Sequence, residues 1–154
     1  MKYALLSIII LLAGLSLTAT AGDLNWQTDF TAVTNAAARR NLPVFAYFKS
    51  ADTKEACMRF EFLVLKRPEF QNFANSKFIL FQADLPRSQS KEDQAMPEKI
   101  KKQNKELRTK YGVDNCPMVV LLDYKGQPIR KISYDGKSIA TQYIETLRQI
   151  LNKY

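Results

Sequence analysis

The sequence has 154 residues, 46% of them hydrophobic, 11% aromatic and 25% charged, with a net charge of +8. That is the composition of one folded domain, and it excludes disordered, collagen-like and low-complexity chains. With no histidine, five glycines and two cysteines, the chain lacks the residues for a histidine base, a Ser-His-Asp triad, a glycine-rich phosphate loop or a histidine or four-cysteine metal site. No metal or cofactor is implied.

The first 21 residues read as a signal peptide. Lys2 supplies the positive start, Leu5 to Leu17 is an apolar run, and Ala19-Thr20-Ala21 has the small-residue pattern of a cleavage site. The run is short for a span of about 20 residues and has no charged stop behind it. No cysteine follows it, so a lipid anchor is not expected, and nothing later in the chain is apolar enough to cross a membrane. The expectation is an exported protein, periplasmic or secreted, with a mature domain over residues 22–154. An oxidising compartment would allow Cys57 and Cys116 to pair. The basic balance permits acidic partners, but no basic-plus-aromatic groove pattern points to nucleic acid.

In chain order, residues 29–41 have the periodicity of a helix, with Phe30, Val33 and Ala37 on one face and Thr28 or Asp29 as its cap; Pro43 stops it. Val44-Phe45-Ala46-Tyr47-Phe48 is a nearly continuous apolar run, as in a strand buried on both faces. A polar loop is predicted over 49–53 and a helix over 54–65, on which Cys57, Phe60 and Val64 share a face. Pro68 opens another short helix. Residues 78–81 form a second buried strand, ending near Asp84. Residues 85–95 are polar and read as a surface loop. A helix begins at Pro97 and runs to Tyr111, closed by Gly112. Residues 118–122 are a third buried strand, 124–127 a turn, and 129–133 an edge strand with alternating polarity. Ile139, Tyr143, Ile144, Leu147, Ile150 and Leu151 mark an amphipathic C-terminal helix.

The order α-β-α-β-α-β-β-α predicts an α/β protein: a three-layer α/β/α sandwich around a four-stranded mixed sheet, with a parallel core and one antiparallel hairpin. The aromatics Phe60, Phe62, Phe70, Phe73, Phe78 and Phe81 are expected in its core. The helix over 97–111 carries Lys99, Lys101, Lys102, Lys105, Arg108 and Lys110 against a narrow stripe of Ile100, Leu107 and Tyr111. It reads as a solvated face, with docking of an acidic partner as the minority alternative.

This order resembles the thioredoxin superfamily over nearly all of the mature chain, closest to its exported members. The residues that carry the likeness are Trp26 with Asp29-Phe30, the run from Ala36 to Val44, Pro68-Glu69-Phe70, Ala83-Asp84, Lys102 to Leu107, Lys110 to Val113, and Cys116-Pro117 followed by Met118 to Asp123. The sequence departs from the family where its oxidoreductases carry Cys-x-x-Cys. Here that stretch is Lys54-Glu55-Ala56-Cys57. The second cysteine matches; Lys54 replaces the exposed nucleophile. The buried acid that redox-active relatives often place on the preceding strand has no counterpart, and Tyr47 is nearest.

The resemblance implies that Cys116 lies beside the helix bearing Cys57, and that Pro117 is cis in a loop that presents its backbone to an extended partner chain. Cys57 and Cys116 are therefore the candidate redox or disulfide pair, and Cys116 with Pro117 the candidate polypeptide-binding loop. A bridge between them, two free thiols and an intermolecular bridge all stay open. If formed, the bridge is either a redox dithiol or a structural staple adding about 4 kcal/mol through loop closure. One functional reading is thiol–disulfide chemistry through Cys57 and Cys116. The alternative is a non-catalytic polypeptide-binding or structural envelope protein. The expected partner is an extended polypeptide or a thiol-containing protein.

Overall fold

The computed structural model describes residues 23–154. The expected signal peptide over residues 1–21 lies outside the described residues. Asp29 caps the first helix, α1 (Phe30–Arg40): its carboxylate accepts from the Thr31 and Ala32 amides at 2.9 and 3.1 Å. The chain then enters β1 (Val44–Ser50), a 3₁₀ turn at Ala51–Thr53, α2 (Lys54–Phe60) and a single π turn at Glu61–Leu65. Next come α3 (Pro68–Lys77), β2 (Ile79–Leu85), α4 (Lys91–Ala95), α5 (Glu98–Lys110), β3 (Met118–Leu122), β4 (Pro128–Ser133) and α6 (Ala140–Leu151).

The four strands form one mixed sheet in the order β2-β1-β3-β4. Strand periodicity splits the core in two. Val44, Ala46 and Phe48 point to one face, where Val33 and Ala37 of α1 and Leu107 of α5 cover them. Phe45 and Tyr47 point to the other, against Phe60, Phe70, Tyr143 and Leu147. On that second face the rings interlock edge-on, Phe45 with Phe70 at 5.6 Å and Phe60 with Tyr143 at 5.2 Å.

Only β1 and β2 are parallel; β3 runs antiparallel to β1, and β4 antiparallel to β3. The expected parallel core is thus reduced to one pair. A fully apolar strand reports burial on both faces, not direction. Here the chain leaves α5 and enters β3 at the end where β1 leaves the sheet, Met118 opposite Phe48. That direction matters for the site, because it sets Cys116 at the mouth of β1.

Three local expectations also change. The polar stretch 85–95 is not all loop: Leu85 completes β2, and α4 forms behind Ser90, whose hydroxyl accepts from the Asp93 amide at 3.1 Å. The helix over 54–65 widens at its end, where the Lys66 amide reaches back to the Glu61 carbonyl at 2.8 Å. Within that turn Phe62, two residues past buried Phe60 and so on the opposite side, is 64% exposed rather than in the core, and Phe73 is only partly buried. In α5 the buried stripe includes a polar residue: Asn104 is 1% exposed and donates to the Asp84 carbonyl at 2.9 Å. Pro97 stands just before that helix as its cap residue.

Candidate functional site

The site lies where β1 gives way to α2. Ser50 ends the strand, and its hydroxyl accepts from the Asp52 amide at 3.3 Å, starting the tight turn that aims α2 back across the sheet end. Lys54 opens α2 and is exposed. One turn further, Cys57 is 4% exposed. Its thiol lies 3.9 Å from the Ser50 carbonyl and 3.7 Å from the Thr53 hydroxyl.

Cys116 comes from the other direction, two residues before β3. It is buried, and the peptide bond to the buried Pro117 is cis. Both cysteines are free thiols and belong to the same core cluster. Burial pushes the Cys116 thiol up to about 11, the neighbouring Cys57 pushes in the same direction, and Arg108 pulls weakly against them. Arg108 also holds this loop, donating from Nε to the Val113 carbonyl at 3.1 Å. The structure therefore brings Cys57 and Cys116 side by side without bonding them. Lys54 stays outside on the first turn of the helix.

A cleft of about 510 Å³ opens beside α2. Cys57, Lys54 and Met58 form one wall, and Met96 and Pro86 part of the other. Cys57, and not Cys116, faces this cleft. Met58 is 56% exposed there, which gives the rim a soft, adaptable apolar surface.

A polar network lies under Cys57 that the sequence did not disclose. Tyr47 is fully buried on β1, at the position nearest the family's buried acid. Its hydroxyl donates to Glu61 Oε1 at 3.3 Å. Lys49 Nζ bridges Glu61 at 3.4 Å and Asp84 at 3.9 Å. Burial pushes the Tyr47 phenol well above its ordinary value, and the neighbouring Cys57 and Glu61 add to that. Asp84 is also raised, chiefly by burial, with Lys49 opposing and Glu61 reinforcing. The acid missing from the strand is thus supplied by the π turn and the end of β2. The available signal was Glu61 standing four residues after Cys57, on the same side of the helix.

The basic face of α5 is largely satisfied within the chain. Lys99 pairs with Asp29, Lys101 with Asp93 and Glu98, and Lys102 with Glu106. Among the described residues no cluster of three or more His, Cys, Asp or Glu side chains is arranged to hold a metal ion, and no helix is long and apolar enough to cross a membrane.

Comparison with known proteins agrees with this architecture. The family of thioredoxin-like domains matches residues 30–151. The chain is 23% identical over 126 residues to the thioredoxin-related protein DsbJ of Chlamydia pneumoniae, which covers 82% of this chain and 35% of that protein. It is 23% identical over 115 residues to the disulfide bond reductase DsbH of the same organism, covering 75% of this chain and 66% of that one. The chain thus spans about a third of the first relative and just under two-thirds of the second. Among solved structures, a DsbH oxidoreductase superposes with a TM-score of 0.76 at 20% identity, covering 86% of this chain and 88% of that one. A thioredoxin from Thermus thermophilus gives 0.64 at 18%, covering 86% and 90%.

Proposed function

The chain belongs to the family of thioredoxin-like domains, and we propose that it is an exported thiol–disulfide protein in which Cys57 and Cys116 replace the adjacent cysteine pair. The observation that carries this reading is the placement of two free, buried thiols side by side at the mouth of β1, with one of them on the wall of an open cleft. The kinship with DsbH and DsbJ supports the chemistry. Export rests on the N-terminal sequence pattern.

Cys57 is the attacking group because it faces the cleft. Its thiolate bonds to one sulfur of a client disulfide, that S–S bond breaks, and the departing client sulfur takes up a proton. Cys116, as thiolate, then bonds to the Cys57 sulfur, and the second client thiol leaves. The client gains two electrons, and the chain is left with a Cys57–Cys116 disulfide. A dithiol protein of the same compartment restores the two thiols. With the Cys116 thiol held near 11, only about one molecule in ten thousand carries that thiolate at pH 7, so the second step is slow. The client is an extended polypeptide bearing a disulfide, or a thiol-containing protein.

The test is the reduction potential of the Cys57–Cys116 pair, by equilibration with glutathione or thioredoxin buffers. A value near −200 mV supports redox work. A value below about −300 mV identifies a staple and leaves the protein as a binding or structural component. Failure to form the bridge under oxidising conditions would overturn both the redox and the staple readings.

A further inference from the structure

The chain treats the two edges of its sheet differently. Along β2 the outer edge is covered: the Gln27 amide donates to the Leu80 carbonyl at 3.0 Å, and the Gln82 amide to the Gln27 carbonyl at 2.9 Å. Along β4, the other edge strand, no segment among the described residues pairs with the outer side. An open row of amides and carbonyls is a template for a further extended chain. The six residues of β4 make that row about 20 Å long.

A groove of about 580 Å³ runs along this strand, between it and the last turns of α6. Its floor is apolar. The pairing of β4 with β3 carries a bulge at Ile129, between the pairs Leu121–Arg130 and Leu122–Pro128. Ile129 and Ile132, three residues apart, therefore both pack toward the α6 side of the core, with Ile150 beside them. The rim is basic. Arg130, Lys131 and Lys153 line the groove, and among the described residues no Asp or Glu does. Lys131 is tied back to the Gly112 carbonyl at 2.9 Å. Arg130 and Lys153 enter none of the ion pairs formed among the described residues.

Pro128 and the edge cations are devices by which edge strands resist pairing. Here the resistance depends on charge. A second copy added antiparallel about the middle of β4 would set Arg130 and Lys131 against the same cations, and like charges directly opposite are destabilising. An acidic strand meets the reverse condition. We propose that the β4 edge binds an acidic, extended segment of a partner protein as a fifth strand of the sheet. Its acidic side chains meet Arg130 and Lys153, and its alternate apolar side chains rest on Ile129, Ile132 and Ile150. The surface uses neither cysteine. Its Ser133 end lies opposite Met118, two residues past Cys116, so a partner held here stays at the end of the sheet that carries the thiols.

The test is binding of fluorescein-labelled peptides to the folded protein, read by anisotropy at about 50 mM salt, where surface charges are little screened. The probes are Gly-Glu-Val-Glu-Val-Glu-Val-Gly, the same sequence with Lys for Glu, and the acidic sequence with every Glu and Val amide N-methylated. The acidic peptide is expected to bind. The lysine peptide and the N-methylated peptide are each expected to bind at least tenfold more weakly, the first for its charge and the second for its lost main-chain donors. Arg130→Glu with Lys153→Glu should weaken the acidic peptide at least tenfold and favour the lysine peptide instead. Both positions are exposed, and urea unfolding checks that the variant folds. Arg130→Ala, a milder change, should weaken the acidic peptide about threefold. Amide exchange along β4 should slow when the acidic peptide is bound. No binding of the acidic peptide up to about 1 mM overturns the proposal. So does equal binding of the lysine peptide, undiminished binding of the N-methylated one, or unchanged binding to the double variant. A dimer in sedimentation that Arg130→Glu dissolves would assign the groove to a second copy and overturn it too. Capture by phosphatidylglycerol vesicles that the double variant abolishes, without peptide binding, would assign it to a lipid surface with the same result.

Discussion

Titrating Cys116 is the most direct check on the order of events at the site. Its thiol is raised from 9.0 to about 11, first by burial and then by Cys57. Two units correspond to about a hundredfold fewer thiolates at any pH well below 9. Pulse alkylation with peptide mapping should therefore find Cys116 reacting about a hundredfold more slowly at pH 8 than an exposed peptide cysteine. Its rate should climb tenfold per pH unit to a midpoint near 11. Cys57→Ser should bring that midpoint down, since one of the two raising influences is removed. The same shift appears in stability. Below about pH 9 both folded and unfolded chains keep this proton. Between 9 and 11 the unfolded chain releases it and the folded chain does not, so folding is favoured less as pH rises, by at most about 1.4 kcal/mol per unit. Urea unfolding at pH 8.5 and pH 11 in reductant should therefore cost the parent chain about 2–3 kcal/mol more than Cys116→Ser; other titrating groups cancel in that difference. A gap that does not change with pH, or a Cys116 alkylated as fast as a peptide thiol, would refute the assignment of Cys116 as the slow resolving group.

The parent chain is expected to show little turnover in insulin reduction with a thioredoxin-type donor, and Lys54→Cys should restore a Cys-x-x-Cys pair at an exposed first turn and raise it; the variant is best measured with and without Cys116→Ser, and parent turnover equal to an ordinary thioredoxin would contradict the reading of a degenerate motif. Asn104→Ala strips the buried Asp84 carbonyl of its donor and should cost about 1–3 kcal/mol in urea unfolding; a loss under about 0.5 kcal/mol would show that the carbonyl finds another partner. Intact-mass analysis of the protein from its native host should show a chain beginning at Gly22, and a membrane-bound form that retains residues 1–21 would sink the export reading.

The fold was legible because it is written in apolar runs. Residues 44–48, 78–81 and 118–122 could only be buried strands, and the stripe from Ile139 to Leu151 could only be a helix face. What these patterns omit is direction and polarity inside the core. Nothing in Met118 to Leu122 distinguishes a parallel from an antiparallel neighbour of β1, since both bury every side chain. Asn104 was hidden because an amide beside Gln103 on a largely basic helix looks like surface, and its burial depends on the Asp84 carbonyl arriving from β2. Phe62 was misplaced because an aromatic was read as core by residue type, although two residues past the buried Phe60 it falls on the opposite side of the helix. Of the site, the two cysteines and Lys54 were readable from a family likeness. The Tyr47–Glu61–Lys49–Asp84 network was not, since it is assembled by three segments, β1, the π turn and β2.

The antiparallel placement of β3 is also what makes a displaced pair geometrically possible. In an adjacent Cys-x-x-Cys, one helical turn supplies both sulfurs, so the chemistry depends on a local motif. Here the sulfurs come from segments joined only through the sheet: Cys57 through Ser50 at the end of β1, and Cys116 through Met118, which sits opposite Phe48. Their separation is fixed by strand register rather than by helix pitch. A slip of one residue between β1 and β3 would turn every side chain of β3 to the other face, so the well-packed core that holds Val120 and Leu122 against Ala46 and Val44 also holds the thiol pair. That arrangement gives Cys57 the open cleft and leaves Cys116 in apolar surroundings. On the reading proposed for the pair, the difference between attacking and resolving groups would come from the depth of two separate elements in the fold rather than from the two ends of one motif.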